Sequence, residues 1–381
     1  RYDYLNLNTC RFLWKQVKFP TATDTSNTTT QVLKEGEVQG SDVAAHSTGI
    51  LDIKTTILPN ADALFLTAID KYGHELWRWT FPVDKLNQTN EVFSPLSGKA
   101  TYSETENELT VKAKNHTFIF SKRDGQLKGV SVNNHKISFA NGPRFIGARR
   151  ADRSLDQFYN HDDEKAKEKD RTYSEFPDAA VFTKLEVKED GGNLIVTANY
   201  KLGNLDKAQW TINPNGEAAL DYTYNFSGVV DLIGISFDYP EDQVISKRWL
   251  GAGPYRVWQN RIHGTQYDVW ENDYNDPIPG ETFTYPEFKG YFDSVSWMNI
   301  RTKEGTISLT NETPDSYIGV YQPRDGRDRL LYTLPESGIS VLDVIPPVRN
   351  KVNSTDLCGP SSQPKWVNGP QTGRIIFRFM E

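Results

Sequence analysis

Apolar residues in this chain recur at every second position, segment after segment, and almost nowhere at the spacing of a helix face. Phe12, Trp14 and Gln16 alternate with Leu13, Lys15 and Val17. Ala63, Phe65, Thr67 and Ile69 alternate with Leu64, Leu66 and Ala68, and Trp77, Trp79 and Phe81 share one face opposite Leu76, Arg78 and Thr80. Successive side chains of a strand point to opposite faces of a sheet, so a period of two is the β pattern. A βα-barrel needs strands alternating with helices, and the chain shows no such alternation. The expected fold class is therefore all-β.

Short strands between Thr-, Asn- and Gly-rich turns make residues 1–85 read as a small immunoglobulin-like β-sandwich. The pattern then weakens through Pro95, Gly98 and the polar run Ser103–Glu108, so residues 86–107 read as a linker. From residue 108 to 381 hairpins follow one another. Leu109, Val111 and Ala113 open the series. Asp124-Gly125, Asn133-Asn134 and Pro214-Asn215-Gly216 supply turns, and strands are expected over Leu194–Leu202, Gln209–Ile212, Ala218–Phe226 and Ile233–Tyr239. This stretch is too long for a seven-strand sandwich and implies one large antiparallel two-sheet domain. The charged run His161–Arg171 reads as a solvated loop or a surface turn of helix.

Composition excludes some partners. A net charge of −7 with no basic stripe gives no footprint for nucleic acid. No apolar run approaches the roughly 20 residues that span a bilayer, so no membrane partner is expected. The two cysteines, Cys10 and Cys358, lie at opposite ends of the chain and read as buried thiols. The six histidines form no helical pair and no His/Cys cluster, which leaves a metal site without support. Asn-x-Ser/Thr sequons stand at Asn27, Asn87, Asn115, Asn225, Asn311 and Asn353 and matter only along a eukaryotic secretory route. The opening Arg1-Tyr2-Asp3 reads as the start of a fragment or a processed product, and a bacterial periplasmic or secreted setting is the expectation.

The segment Trp249–Arg261 stands out from the strands around it. It packs Gly251, Gly253 and Pro254 together with Tyr255, Arg256, Trp258 and Arg261. Glycines permit close backbone approach, proline ends a strand ladder, and flat rings beside guanidinium forks suit a polyhydroxylated ligand. A structural corner at the rim of a sheet is the plainer reading of the same residues. Nearby Asn260, Arg261, His263 and Tyr267 carry the groups that a polysaccharide lyase uses to mask a uronate and move its proton, and an aldose epimerase is a related possibility. Residues this close in sequence alternate across a strand and need not converge.

Three motifs together resemble the C-terminal part of a glycoside hydrolase family 2 β-galactosidase. They are Tyr4–Leu7 leading into Phe12-Leu13-Trp14 with Gly73–Leu76 and Trp79; Phe118–Leu127; and the Gly-x-Gly-Pro corner in Trp249–Pro254, with Arg261 in the place of that corner's following arginine. The resemblance spans essentially the whole chain. It implies an immunoglobulin-like domain followed by a galactose-mutarotase-like supersandwich (the β-galactosidase small-chain region). In the family both catalytic glutamates lie on a preceding βα-barrel. This segment is then expected to be inactive alone, to hold no catalytic residue, and to need no cofactor, since any Mg or Na belongs to the barrel. Its expected partners are the missing barrel and a carbohydrate substrate. The family lends a Trp near the chain's end to the sugar pocket, and Trp366 is the candidate here. Trp258, Arg256, Arg261 and Tyr255 of the corner join it as carbohydrate-binding candidates, with Arg150 and Asp152. Two departures put galactose itself in question: Tyr255–Trp258 replaces a Glu-Asn-Tyr run, and Gly147–Arg153 replaces an aromatic-Arg-Ala-Pro stretch. A stand-alone carbohydrate-binding module is the alternative.

Overall fold

The computed structural model describes residues 5–24, 29–83, 97–150, 173–176, 178–272, 290–320, 337–347 and 359–381. It divides into two units. The smaller comprises Arg1–Gln88 and Gln266–Trp270, and the larger comprises Thr89–Thr265 and Glu271–Glu381.

Strands β1 (Arg11–Lys18), β2 (Gln31–Gln39), β3 (Ala63–Ile69) and β4 (Glu75–Pro82) form the sheet of the small unit. Their order is β2-β1-β3-β4, every pair antiparallel. The alternation read from the sequence sets its faces. Phe12, Trp14, Leu66 and Ala68 build the core with Cys10, and Leu51 and Ile53 pack onto it. Gly36 faces Trp14 across the β1–β2 pair, where an added Cβ would lie 2.4 Å from the indole. Gln16, next on the same face, is wholly buried, and its amide is satisfied by Thr55, Thr56 and Leu58. Among the described residues this unit has a single sheet, and the segment around Leu51–Leu58 covers the face where a sandwich would bring a second. On the other face Arg78 lies over the Phe65 ring at 4.4 Å and pairs with Asp268 at 2.9 Å, while Tyr267 meets Phe19 edge-on. These contacts hold Gln266–Trp270 in this unit, a long-range return that no local sequence signal marks.

The large unit runs through β5 (Thr101–Glu104), β6 (Glu108–Ala113), β7 (His116–Ser121), β8 (Leu127–Val132), β9 (His135–Ile137), β10 (Ala140–Arg150), β11 (Tyr173–Glu175), β12 (Val181–Asp190) and β13 (Asn193–Lys201). It continues with β14 (Leu205–Ile212), β15 (Ala218–Val230), β16 (Leu232–Asp238), β17 (Val244–Gly253), β19 (Phe292–Asp293) and β20 (Trp297–Thr302), whereas most of β18 (Gln266–Asn272) belongs to the small unit. The last strands are β21 (Gly305–Asn311), β22 (Tyr317–Val320), β23 (Ile339–Val344) and β24 (Lys365–Met380). One sheet is ordered β19-β22-β23-β16-β10-β8-β7-β6-β5, with β9 beside β8 and β11 beside β10. The facing sheet is ordered β12-β13-β14-β15-β24-β21-β20-β17. The all-β expectation holds.

Aromatic rings from alternate positions of both sheets meet in the core. Phe139 stacks on Phe237 at 4.6 Å and tilts against Phe377 at 5.1 Å, and Trp210 touches Phe120, Phe237 and Phe377. Each such ring, fully buried, contributes roughly 1.5–3 kcal/mol of transfer free energy.

Part of the stretch read as a linker is a strand. Thr101–Glu104 pairs antiparallel with Leu109–Lys112 at the sheet's edge. All four of its residues are exposed, so its stability comes from backbone pairing and it carries no apolar alternation to betray it. The run His161–Arg171 lies outside the described residues. No helix among the described residues is long and apolar enough to cross a membrane.

Candidate functional site

The corner begins where β17 ends. Pro254 has no N–H to continue the ladder, and the chain leaves the sheet after Gly253. Gly251 lies against a neighbouring backbone: a Cβ there would sit 3.0 Å from the Ser294 carbonyl oxygen and the Val295 Cα. The chain then folds back. Val257 exchanges two backbone hydrogen bonds with Tyr291, at 2.7 and 2.9 Å, and the Arg261 amide donates to the Trp258 carbonyl at 2.8 Å.

Beneath this turn is one face of the β10–β16–β23 sheet. Strand alternation sends Phe145 toward Tyr224 of the facing sheet, so Ile146 and Ala148 point the other way. Val257, Trp258 and Tyr291 cover them, joined by Leu232, Tyr317, Leu342 and Ile345. Trp258 is only 2% exposed, and its ring meets Tyr291 edge-on at 5.7 Å. This corrects its reading as a sugar-stacking platform. An indole serves core and ligand equally well in sequence, and here the apolar face of β10 claims it.

The other candidates divide. Tyr255 is 66% exposed and Trp366 69% exposed. Arg261 is exposed, with its backbone anchored as above. Arg256 is half-buried and lies over the Phe292 ring at 5.0 Å. Arg150 closes β10 opposite Tyr173. Asp152 lies outside the described residues. Of the lyase-like set, Tyr267 belongs to the small unit, where Phe19 takes its ring. His263 is exposed in the large unit, and Asn260 donates to the Ser362 hydroxyl at 3.4 Å.

Two segments about a hundred residues apart do come together. Gln259 donates its side-chain amide to the Gln363 carbonyl at 2.6 Å, and its backbone amide donates to the Pro346 carbonyl at 3.1 Å. With the Asn260–Ser362 bond, this seats the corner beside the turn that leads into β24, where Trp366 stands opposite Val229. The sequence reading assigned Trp366 and the corner to one sugar pocket. The structure ties the corner to the turn three residues before Trp366 through Gln259, a residue not singled out in the sequence.

Asp293 was also missed. It is half-buried on the two-residue strand β19 and accepts a hydrogen bond from the Ser294 hydroxyl at 3.1 Å. Burial first, then the nearby Asp315 charge, hold its carboxyl above the ordinary carboxylate range against the opposing pull of Ser294 and Lys365. Burial likewise pushes the Tyr291 and Tyr317 phenols up. Nothing in the run Gly290–Ser294 marks Asp293 locally. Among the described residues no group of three or more His, Cys, Asp or Glu could hold a metal ion.

Comparison with known proteins adds a family. A family model described as the beta galactosidase small chain matches residues 112–336, more than half of the chain. No curated protein matches. Among solved structures, a galactose 1-epimerase from Lactobacillus acidophilus NCFM aligns over 75% of this chain and 99% of its own, at 10% identity and a TM-score of 0.40. A galactose mutarotase-like protein from Lactobacillus casei ATCC 334 aligns over 71% of this chain and 99% of its own, at 10% identity and a TM-score of 0.35.

Proposed function

The chain belongs to the beta-galactosidase small chain family, and from that premise we propose that it is the accessory, non-catalytic portion of a glycoside hydrolase acting on β-glycosides. In this reading the large unit lines one side of a sugar cleft, and the attacking carboxylate and the acid come from a separate catalytic domain. The observation that supports it best is the seating of the corner against the start of β24 by Gln259 and Asn260. In this reading exposed Tyr255, Arg261 and Trp366 share one rim above the buried cluster that holds Trp258. A rim of rings and polar groups held from below offers a sugar stacking surface and hydroxyl partners without being a complete pocket.

The test is direct. The purified chain should not turn over an aryl β-galactoside, and turnover at a rate that scales with protein concentration would overturn the accessory role. Its migration through a gel containing galactan should be retarded, and Trp366→Ala should abolish the retardation. Millimolar or tighter binding of a short oligosaccharide by the chain alone, as distinct from the weak multivalent retardation that half a pocket gives in a polymer gel, would favour the stand-alone binding module instead.

A further inference from the structure

We propose that this rim takes an acidic saccharide, one bearing a carboxylate or a sulfate; the inference rests on the cleft-lining role argued above. Two observations carry it.

The first is charge. The chain as a whole carries −7, yet the exposed ends of the two joined segments are Arg261 on one and Lys365 beside Trp366 on the other. Neither forms an ion pair among the described residues. Among the described residues, Asp293 is within electrostatic reach of Lys365 and of Asp315. The guanidinium of Arg261 is the group left to meet an anion, and its planar fork fits a carboxylate or a sulfate in two-point contact.

The second is the exposed Trp366 indole, a flat face for the C–H side of a pyranose. An acidic sugar matches both features, whereas a neutral sugar leaves the cations without a role.

The experiment is affinity electrophoresis of the whole chain through gels containing polygalacturonate, a sulfated galactan or neutral galactan. At least one acidic polymer should retard the chain more than galactan does, and added salt should weaken that difference. Arg261→Ala and Lys365→Ala should each weaken acidic-polymer binding about two- to five-fold, the scale of an exposed ion pair. Lys201→Ala, an exposed lysine elsewhere in the same unit, should leave it unchanged. Trp366→Ala should weaken binding to every polymer that binds. Comparing the two acidic gels separates carboxylate from sulfate. Equal retardation by all three polymers, or an equal loss on Lys201→Ala, overturns the acidic class. If Trp366→Ala still matters in that case, the rim itself stands. Absence of retardation in every gel overturns both.

Discussion

Tyr224 on β15 donates its hydroxyl hydrogen to a carboxylate oxygen of Asp343 on β23, across the interior between the two sheets of the large unit. Tyr222, two residues earlier, stacks parallel to Tyr224 at 6.5 Å. Burial holds Asp343 above the ordinary carboxylate range, with the Tyr224 hydrogen bond pulling the other way. Burial also pushes both phenols up, the Asp343 charge adding to it. For a carboxyl raised on folding, its contribution is fully present below the unfolded value of about 3.9 and is lost as pH climbs through the folded one. Asp343→Asn keeps an acceptor for Tyr224 and removes the titration. Its stability relative to the parent chain should therefore rise as pH moves from 4 upward, read by urea unfolding between pH 3 and 8. Asp343→Leu strands the Tyr224 hydroxyl and should cost about 1–3 kcal/mol. Parallel curves for the parent and the Asn variant would show that Asp343 does not titrate differently on folding.

Two glycines in strands should respond in opposite directions. A Cβ on Gly234 would lie 2.1 Å from the Val341 carbonyl oxygen, a backbone atom of the neighbouring strand. Gly234→Ala should destabilise the large unit by about 1–3 kcal/mol or more, since two paired strands must separate to admit it. At Gly129 nothing lies within 4 Å of the added atom. Gly129→Ala should stabilise by about 0.4–1 kcal/mol through the lost freedom of the unfolded chain. Chemical denaturation of the two variants decides, and a loss at Gly129 equal to that at Gly234 would count against this account.

Burial should separate two ion pairs that look alike in sequence. Arg378 meets Glu217 at 2.7 Å and also donates to Thr310 at 3.0 Å, with side-chain exposures of 12% and 24% for the ion pair. Lys99 meets Glu189 at 2.6 Å with exposures of 57% and 52%. Arg378→Ala should cost about 1–3 kcal/mol, because Glu217 is left partly desolvated. Lys99→Ala should change stability by less than about 0.5 kcal/mol, since solvent screens that pair. A double-mutant cycle at Arg378 and Glu217 should show a coupling of at least about 0.5 kcal/mol, and zero coupling would remove the claim.

In the small unit, Gln16 does the work of a second sheet's backbone. Its amide nitrogen donates to Thr55 Oγ1 and to the Thr56 carbonyl, and its oxygen accepts from the Leu58 amide. Gln16→Leu preserves bulk and orphans those partners, at about 1–3 kcal/mol for each buried group left unpaired. Amide hydrogen exchange at Leu58 should accelerate in this variant while exchange in β1 and β3 changes less. Unchanged protection at Leu58 would show that the segment is held by something else.

Much of the architecture was legible because a strand's side-chain period is local. Phe12 and Trp14, Leu66 and Ala68, and Phe118 and Phe120 announce their faces without help from distant residues. The exposed edge strand Thr101–Glu104 was not legible, because edge pairing uses the backbone and leaves no apolar mark. The corner Trp249–Arg261 was visible as an anomaly, and its rigid seating was not.

The amino-acid sequence alone determined that this chain folds as packed antiparallel sheets, where β17 must end, and which family it resembles, since periodicity, a missing N–H and a motif are written in adjacent residues. Tertiary structure decided which tryptophan faces solvent. Trp258 and Trp366 sit in similar aromatic, proline-containing segments, and the choice between them depends on the apolar face of β10, more than a hundred residues away from either, which covers one and leaves the other open. The joining of their segments through Gln259 and Gln363 was settled in the same way, by a hydrogen bond whose partners meet only after both sheets have formed.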